Sequence, residues 1–112
     1  MPLKHNEYHA GNVHSVGFTA DSHARSVGVI ESTAEQPQFH FGTAAPERMT
    51  VVSGCLEVKL DGEDAWHKYY AANSASRSPA DPIFFKVKGN SGFDCKSVEG
   101  PAAYLCEYLP EA

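Results

Sequence analysis

The chain has 112 residues, of which 42% are hydrophobic and 21% are charged, and its formal net charge is -5. These values are typical of one globular domain and argue against a nucleic-acid binder, which needs clustered Lys and Arg side chains. No apolar run is long enough for a membrane-spanning helix, and the first residues have no apolar signal-peptide core. Cys55, Cys95 and Cys106 have no CxxC spacing, which favours buried thiols in a reducing cytosol, so we expect a cytoplasmic protein.

Short alternating segments follow a polar arm at residues 1–12, and an aperiodic loop rich in small residues occupies 73–82. The predicted strands are Val13–Phe18, Ser26–Ile30, Gln38–Thr43, Glu47–Ser53, Cys55–Leu60, Trp66–Ala71, Ile83–Val87, Phe93–Val98 and Ala102–Leu109. Gly54 separates two of them by a single residue, which predicts a tight hairpin at that point. Nine short strands without an amphipathic helix predict an all-β sandwich or barrel, as one domain over residues 1–112.

The strand that begins at Glu47 carries the clearest candidate for a functional residue. Its side chains alternate, so Glu47 shares a face with Met49, Val51 and Ser53. A carboxylate on an apolar face is costly unless a ligand or a partner meets it. We therefore expect Glu47 to face a binding site, and the alternative is an ion pair with a nearby Lys or Arg.

The spacing from Glu47 to Gly54 equals the glutamate-to-glycine spacing of the first cupin motif. His40 stands at the first histidine position of that motif, but Gly42 occupies the second and has no side-chain ligand. Phe93 stands where the second motif supplies another histidine, so the ligand set of a metal-dependent cupin is incomplete. The chain thus resembles a cupin-type jelly-roll β-barrel without the metal ligands.

A more specific likeness covers nearly the whole chain, from about residue 6 to residue 109. The residues that carry it are Asn6-Glu7-Tyr8, Val16-Gly17-Phe18, Ser26–Val29, Phe41–Gly54, Trp66, Tyr69, Asn90-Ser91, Phe93 and Ala103–Tyr108. On these residues the sequence resembles the pyrimidine/purine nucleoside phosphorylases, a family of small single-domain cupins. Two departures are the loop at 73–82, which looks like an insertion near the pocket mouth, and Lys88, where the family usually has proline.

The resemblance implies that phosphate cleaves the N-glycosidic bond of purine and pyrimidine nucleosides, giving free base and ribose 1-phosphate. It further implies a broad range, with purine-nucleoside, uridine and thymidine phosphorylase activities. Because inorganic phosphate is itself the nucleophile, we expect neither a metal nor another cofactor. The alternatives are a metal-dependent cupin enzyme and a non-catalytic cupin that binds a small molecule or a sugar.

The implied chemistry gives roles to particular side chains, each of which also has an ordinary structural explanation. We expect Glu47 to bind the ribose hydroxyls, Arg25 to bind phosphate and His40 to protonate the departing base. The other expected substrate-binding residues are Ser26, Thr43, Met49, Lys88, Asn90, Phe93 and Tyr104. Small cupins commonly pair through sheet edges or faces, so we also expect a homodimer.

Overall fold

The computed structural model of the protein describes residues 3–110, and that part of the chain forms ten strands and one short 3₁₀ turn. The strands are β1 (Lys4–Tyr8), β2 (Val13–Ala20), β3 (His23–Ile30), β4 (Phe39–Thr43), β5 (Glu47–Ser53), β6 (Cys55–Leu60), β7 (His67–Tyr70), β8 (Phe84–Val87), β9 (Ser91–Ser97) and β10 (Ala102–Tyr108). The 3₁₀ turn His9–Gly11 joins β1 to β2. The nine predicted strands are all confirmed, with somewhat shifted ends. The ends of the predicted domain and arm, residues 1, 2, 111 and 112, lie outside the described residues.

The strands form two antiparallel sheets that enclose one core. One sheet has six strands in the order β1-β2-β3-β10-β5-β8, and the other has four in the order β4-β9-β6-β7. Because alternate residues of a strand point to opposite faces, each sheet sends every second side chain inward. The buried side chains that meet between the sheets include Val13, Ile30, Met49 and Val51 from the larger sheet and Phe39, Leu56, Val58 and Cys95 from the smaller. The three cysteines are free and buried, as expected.

The first strand was missing from the sequence-based prediction, which treated residues 1–12 as an arm. Lys4–Tyr8 instead pairs with β2 and forms the edge of the six-stranded sheet. Four of its five side chains are exposed, so the strand shows no apolar alternation. An edge strand of this kind is held by backbone pairing, which sequence patterning does not report.

The predicted hairpin at Gly54 is wrong. β5 pairs with β10 and β8 in the larger sheet, whereas β6 pairs with β7 and β9 in the smaller. Gly54 has φ 79°, and a Cβ there would lie 2.9 Å from the carbonyl oxygen of Pro101. The glycine therefore lets the chain turn a corner from one sheet to the other, where a side chain has neither the conformation nor the space. Ser53, at the corner, is exposed and does not continue the inward face of β5.

The loop at 73–82 lies between β7 and β8 and is braced by its own hydrogen bonds. Arg77 donates from Nε to the carbonyl oxygen of Asp81 at 3.0 Å, and the Ser78 amide donates to the Asp81 carboxylate at 2.8 Å. None of its residues lines the main pocket described below. In the single chain the loop therefore forms no part of the wall of that pocket. Within residues 3–110 no helix is long and apolar enough to cross a bilayer.

Candidate active site

A cavity of about 340 Å³ lies between the two sheets, which is in the size range of small-molecule sites. The six-stranded sheet supplies a polar wall, and the residues on it are Ser15, Ser26, Glu47, Tyr104, Cys106 and Tyr108. The four-stranded sheet supplies an aromatic wall through Phe41 and Phe93, to which His9 of the 3₁₀ turn adds its ring. Tyr8 and Tyr108 also line the cavity and are substantially exposed, so they mark the side that opens to solvent.

Glu47 is the one carboxylate among the described residues that line this cavity. It faces inward with Met49 and Val51, as the alternation of β5 predicts. Its Oε1 accepts a hydrogen bond from the Cys106 thiol at 3.5 Å, and no Lys or Arg among residues 3–110 forms an ion pair with it. Burial raises the pKa of the Glu47 carboxyl, and the thiol hydrogen bond only partly opposes this. The alternative prediction, an ion pair between Glu47 and a nearby Lys or Arg, is therefore wrong for residues 3–110.

Hydroxyl and thiol groups surround this carboxylate on neighbouring strands. In the sheet register Tyr108 is paired with Glu47, and Cys106 is paired with Ser26 and Met49. The Ser26 Oγ and the Tyr108 hydroxyl are hydrogen-bonded at 3.2 Å. Burial raises the pKa of Cys106 and of Tyr108 to about 12 in each case, so both remain protonated near neutral pH. The polar wall therefore presents one carboxylate amid neutral hydrogen-bond donors.

Tyr104 extends the polar wall, and Gly28 makes room for it. Tyr104 and Gly28 are register partners on β10 and β3, and a Cβ at Gly28 would lie 2.5 Å from the Tyr104 hydroxyl oxygen. Burial raises the pKa of Tyr104 well above its ordinary value. The hydroxyl end of Tyr104 therefore occupies the space that a side chain at position 28 would fill.

The aromatic wall is a chain of packed rings. His9 is in edge contact with Phe41, with centroids 5.2 Å apart, and Phe41 lies 5.6 Å from Phe93. Phe85, behind Phe93 at 5.5 Å, continues the packing into the core. These separations are ordinary for aromatic pairs, so the rings form one packed wall of the cavity.

The predicted site residues divide into those that the cavity brings together and those that it does not. Those that line it are Ser26, His40, Glu47, Met49, Phe93 and Tyr104. Those that do not are Arg25, Thr43, Lys88 and Asn90.

His40 lines the cavity from edge strand β4, but its side chain is turned to the other face of the sheet. It alternates with the inward Phe39 and Phe41 and is largely exposed. Its Nδ1 donates to the Asp94 carboxylate at 2.8 Å, across the pair that joins β4 to β9. The imidazole is therefore engaged outside the cavity in this arrangement.

Arg25 lies on the outer face of the six-stranded sheet. It alternates with the inward Ser26, and its Nε is 4.0 Å from the carboxylate of Glu107. Arg48 approaches the same carboxylate from the other side at 2.8 Å, so two guanidinium groups flank one acid. A guanidinium donor of Arg25 also hydrogen-bonds the carbonyl oxygen of Ala20. The structure does not bring this side chain to the cavity.

The remaining three predicted residues hold the turn between β8 and β9. The Thr43 hydroxyl donates to the carbonyl oxygen of Lys88 and accepts from the Ser91 amide at 3.2 Å. The backbone N–H of Asn90 donates to the carbonyl oxygen of Ala44 at 3.2 Å, and Asn90 has φ 53°. Their observed contacts are with backbone groups of the turn.

Several cavity residues were missed by the sequence-based prediction. Cys106 and Tyr108 alternate with Tyr104 on β10, so the pattern that selected Tyr104 also contained them. Tyr8 and His9 could not be found in this way, because the arm offered no periodicity. Within residues 3–110, no group of three or more His, Cys, Asp or Glu side chains is arranged to hold a metal ion.

The family model described as pyrimidine/purine nucleoside phosphorylase matches residues 3–108. The chain belongs to this family. A curated relative of that name from Sorangium cellulosum is 47% identical over 107 residues, which covers 96% of this chain and 99% of the relative. Another, from Aeromonas salmonicida, is 45% identical over 107 residues and covers 96% and 98%. The resemblance found in the sequence is therefore confirmed at the level of the family.

Solved structures confirm the fold of this family member. A protein of unknown function from Vibrio parahaemolyticus is 42% identical with a TM-score of 0.80, covering 97% of this chain and 100% of the other. One from Acinetobacter sp. ADP1 is 28% identical with a TM-score of 0.77, covering 95% and 90%. A cupin domain of a transcriptional regulator from Enterobacter cloacae, at 17% identity, TM-score 0.62 and coverage of 89% and 99%, shares the fold alone. The prediction of an all-β, cupin-type protein is confirmed.

Proposed function

We propose that this protein is a nucleoside phosphorylase of broad specificity, which cleaves purine and pyrimidine nucleosides with inorganic phosphate. The products are the free base and ribose 1-phosphate, so the enzyme is a pentosyltransferase with purine-nucleoside, uridine and thymidine phosphorylase activities. Family membership over residues 3–108 supports the general activity. We further propose that no metal or other cofactor takes part, because phosphate is itself the attacking nucleophile.

The observation that carries this proposal is the carboxylate of Glu47, which has no ion-pair partner among residues 3–110. It lies in a cavity with hydroxyl groups on one wall and aromatic rings on the other. A ribose presents hydroxyl donors to such a carboxylate, and a nucleobase presents a flat face to the rings. As the glycosidic bond breaks, positive charge develops on the sugar. A carboxylate already desolvated beside the sugar stabilises that charge more strongly than a solvated one. Glu47 thus combines ribose binding with electrostatic stabilisation.

Phosphate meets neutral donors in this proposal. The described cavity wall contains no Lys or Arg side chain, whereas Ser26 and Tyr108 offer hydroxyl groups. β4 lies at the edge of its sheet, and Gly42 lines the cavity without a side chain, so we propose that backbone N–H groups there also contact the anion. Arg25, predicted as the phosphate cation, is instead held by Glu107 on the outer face.

The proposal is tested by incubating a panel of nucleosides with chelator-treated protein, with and without phosphate, and separating the products. Uridine, thymidine, inosine and adenosine should each yield free base only when phosphate is present. Cleavage that disappears with chelator and returns with an added metal ion would favour a metal-dependent cupin enzyme instead. Tight nucleoside binding without turnover would favour a non-catalytic binding protein.

We also propose that the protein is a homodimer paired through the outer face of the six-stranded sheet, in a reducing cytosol where its three thiols stay free. That face exposes Val27 at 43%, Val29 at 46%, Val52 at 52% and Phe84 at 44%, and an apolar patch of this kind favours association with a second copy. Light scattering should give about twice the 12.1 kDa chain mass, and Val29→Lys should shift it to the chain mass. A wild-type mass equal to one chain would contradict this.

A further inference from the structure

The 3₁₀ turn His9–Gly11 places one ring of the aromatic wall, and its backbone is strained. His9 has φ 54° and Ala10 has φ 57°, so two consecutive residues other than glycine adopt the left-handed conformation. Each such residue costs about 1–2 kcal/mol relative to an ordinary conformation. Strain of this kind persists only where the surroundings enforce it, and it clusters at functional sites.

Several hydrogen bonds enforce the conformation of this turn. The Asn12 amide donates to the carbonyl oxygen of His9 at 3.2 Å, and His14 donates from Nε2 to the carbonyl oxygen of Gly11 at 2.9 Å. The Asn12 side chain donates to Gln36 at 2.9 Å, which fixes the turn to the loop before β4. The result is that the His9 ring packs on both Phe39, at 4.9 Å, and Phe41.

The polar atoms of the His9 ring take no part in the hydrogen bonding of residues 3–110. Within residues 3–110 neither ring nitrogen of His9 has a hydrogen-bond partner, although His5, His14 and His40 all have one. A ring that only closed the core would gain nothing from two polar atoms. On the cavity wall, the same nitrogens are free to bond the polar edge of a ligand whose face rests on Phe41.

We infer that the nucleobase of the substrate stacks on Phe41, with the His9 ring holding its edge, while the ribose lies towards Glu47. This inference rests on the proposed function, and it assigns base binding to the smaller sheet and the 3₁₀ turn. Tyr104, one of the expected substrate-binding residues, lies beside Gly28 on the opposite wall. Every base offers a π-face, so a stacking wall accepts purines and pyrimidines alike.

Separate binding measurements with the two reaction products, the base and ribose 1-phosphate, test this inference independently of the proposed reaction. Uracil and ribose 1-phosphate are titrated separately into wild-type protein, His9→Ala and His9→Phe, and affinity is followed by NMR chemical shifts. His9→Ala should weaken uracil binding about 10-fold, since the hydrogen bond between the His9 ring and the polar edge of the base is lost, and should leave ribose 1-phosphate binding unchanged. His9→Phe, which keeps a ring but has no ring nitrogen, should lose as much uracil affinity as His9→Ala does. His67→Ala is the matched control, because His67 is an exposed histidine of β7 that does not line the cavity.

The outcomes distinguish the base-site inference from the proposed phosphorolysis. Unchanged uracil affinity in His9→Ala, or equal loss for uracil and ribose 1-phosphate, overturns the base-site inference even if the wild type carries out phosphorolysis. The expected uracil-specific loss in a protein without phosphorolysis supports the base site and rejects the proposed reaction. A wild-type protein that binds neither product overturns both.

Discussion

Glu47→Gln is expected to lower kcat/KM for uridine phosphorolysis by about 100-fold or more, the usual loss when a group that stabilises transition-state charge is removed. The same substitution should make the protein more stable. The Glu47 carboxyl is buried without a cationic partner among residues 3–110, and Gln removes the cost of ionising it there. We expect the free energy of unfolding near pH 8 to be higher for this variant than for the wild type.

The sign of the pH dependence follows from the direction of the pKa shift. Burial raises the pKa of Glu47 in the folded state above the ordinary 4.5, so the unfolded chain loses this proton first as pH rises. Wild-type stability therefore falls between the unfolded-state pKa and the higher folded-state pKa. Glu47→Gln lacks this loss, so its advantage should be small at about pH 4 and full at about pH 8.

Denaturant unfolding at both pH values, combined with initial rates, measures the two effects. Glu31→Gln is the matched control, since Glu31 is exposed, lies outside the cavity and should change neither property. A Glu47→Gln variant with activity within a few-fold of wild type would remove Glu47 from the chemistry. A Glu47→Gln variant less stable than wild type near pH 8 would contradict the predicted stabilisation. It would show that hydrogen bonds in the folded protein offset the cost of burying the ionised Glu47 carboxylate.

Gly28→Ala is expected to destabilise the protein by about 3 kcal/mol, the upper range for overpacking a core. A Cβ at this position would lie 2.5 Å from the Tyr104 hydroxyl oxygen, 2.6 Å from its ring and 2.7 Å from the carbonyl oxygen of His14. The His14 carbonyl belongs to the neighbouring strand β2, so moving a flexible side chain cannot relieve the clash. Chemical denaturation measures the loss.

Gly17→Ala provides a close comparison, because Gly17 lies one strand away in the same sheet. A Cβ there would have its nearest neighbour at 3.8 Å, the carbonyl oxygen of Lys4. The change should be neutral or stabilising by about 0.5 kcal/mol, because alanine loses less backbone entropy on folding than glycine does. Equal effects of the two substitutions would contradict the packing account and would point to a general cost of altering a glycine in this sheet.

The sequence predicts the position of Glu47 better than that of Arg25, and strand boundaries explain the difference. Two-residue alternation correctly sends Glu47 inward and Arg48 outward. The same rule sends Arg25 outward, but the predicted strand began at Ser26 and left Arg25 in a loop with no assigned face. In the structure β3 begins at His23, and the alternation then extends to Arg25.

The arrangement of strands in the two sheets and the position of His9 could not be predicted from the sequence, for a different reason. One glycine between two strands is compatible with a hairpin and with a corner, and only the packing of Gly54 against Pro101 selects the corner. His9 reaches the cavity through a strained turn, which has no signature in residue type because the left-handed residues are His and Ala. Features set by backbone geometry and tertiary contacts leave little trace in local patterns.

The most direct test of the central claim is phosphorus NMR of a mixture of uridine, phosphate and chelator-treated protein, with uracil measured in parallel by absorbance. The account predicts a growing ribose 1-phosphate signal that matches the uracil released, and a corresponding loss of both with Glu47→Gln. Uracil released with free ribose, at a rate that does not depend on phosphate, would show hydrolysis and contradict the account. So would the absence of any cleavage.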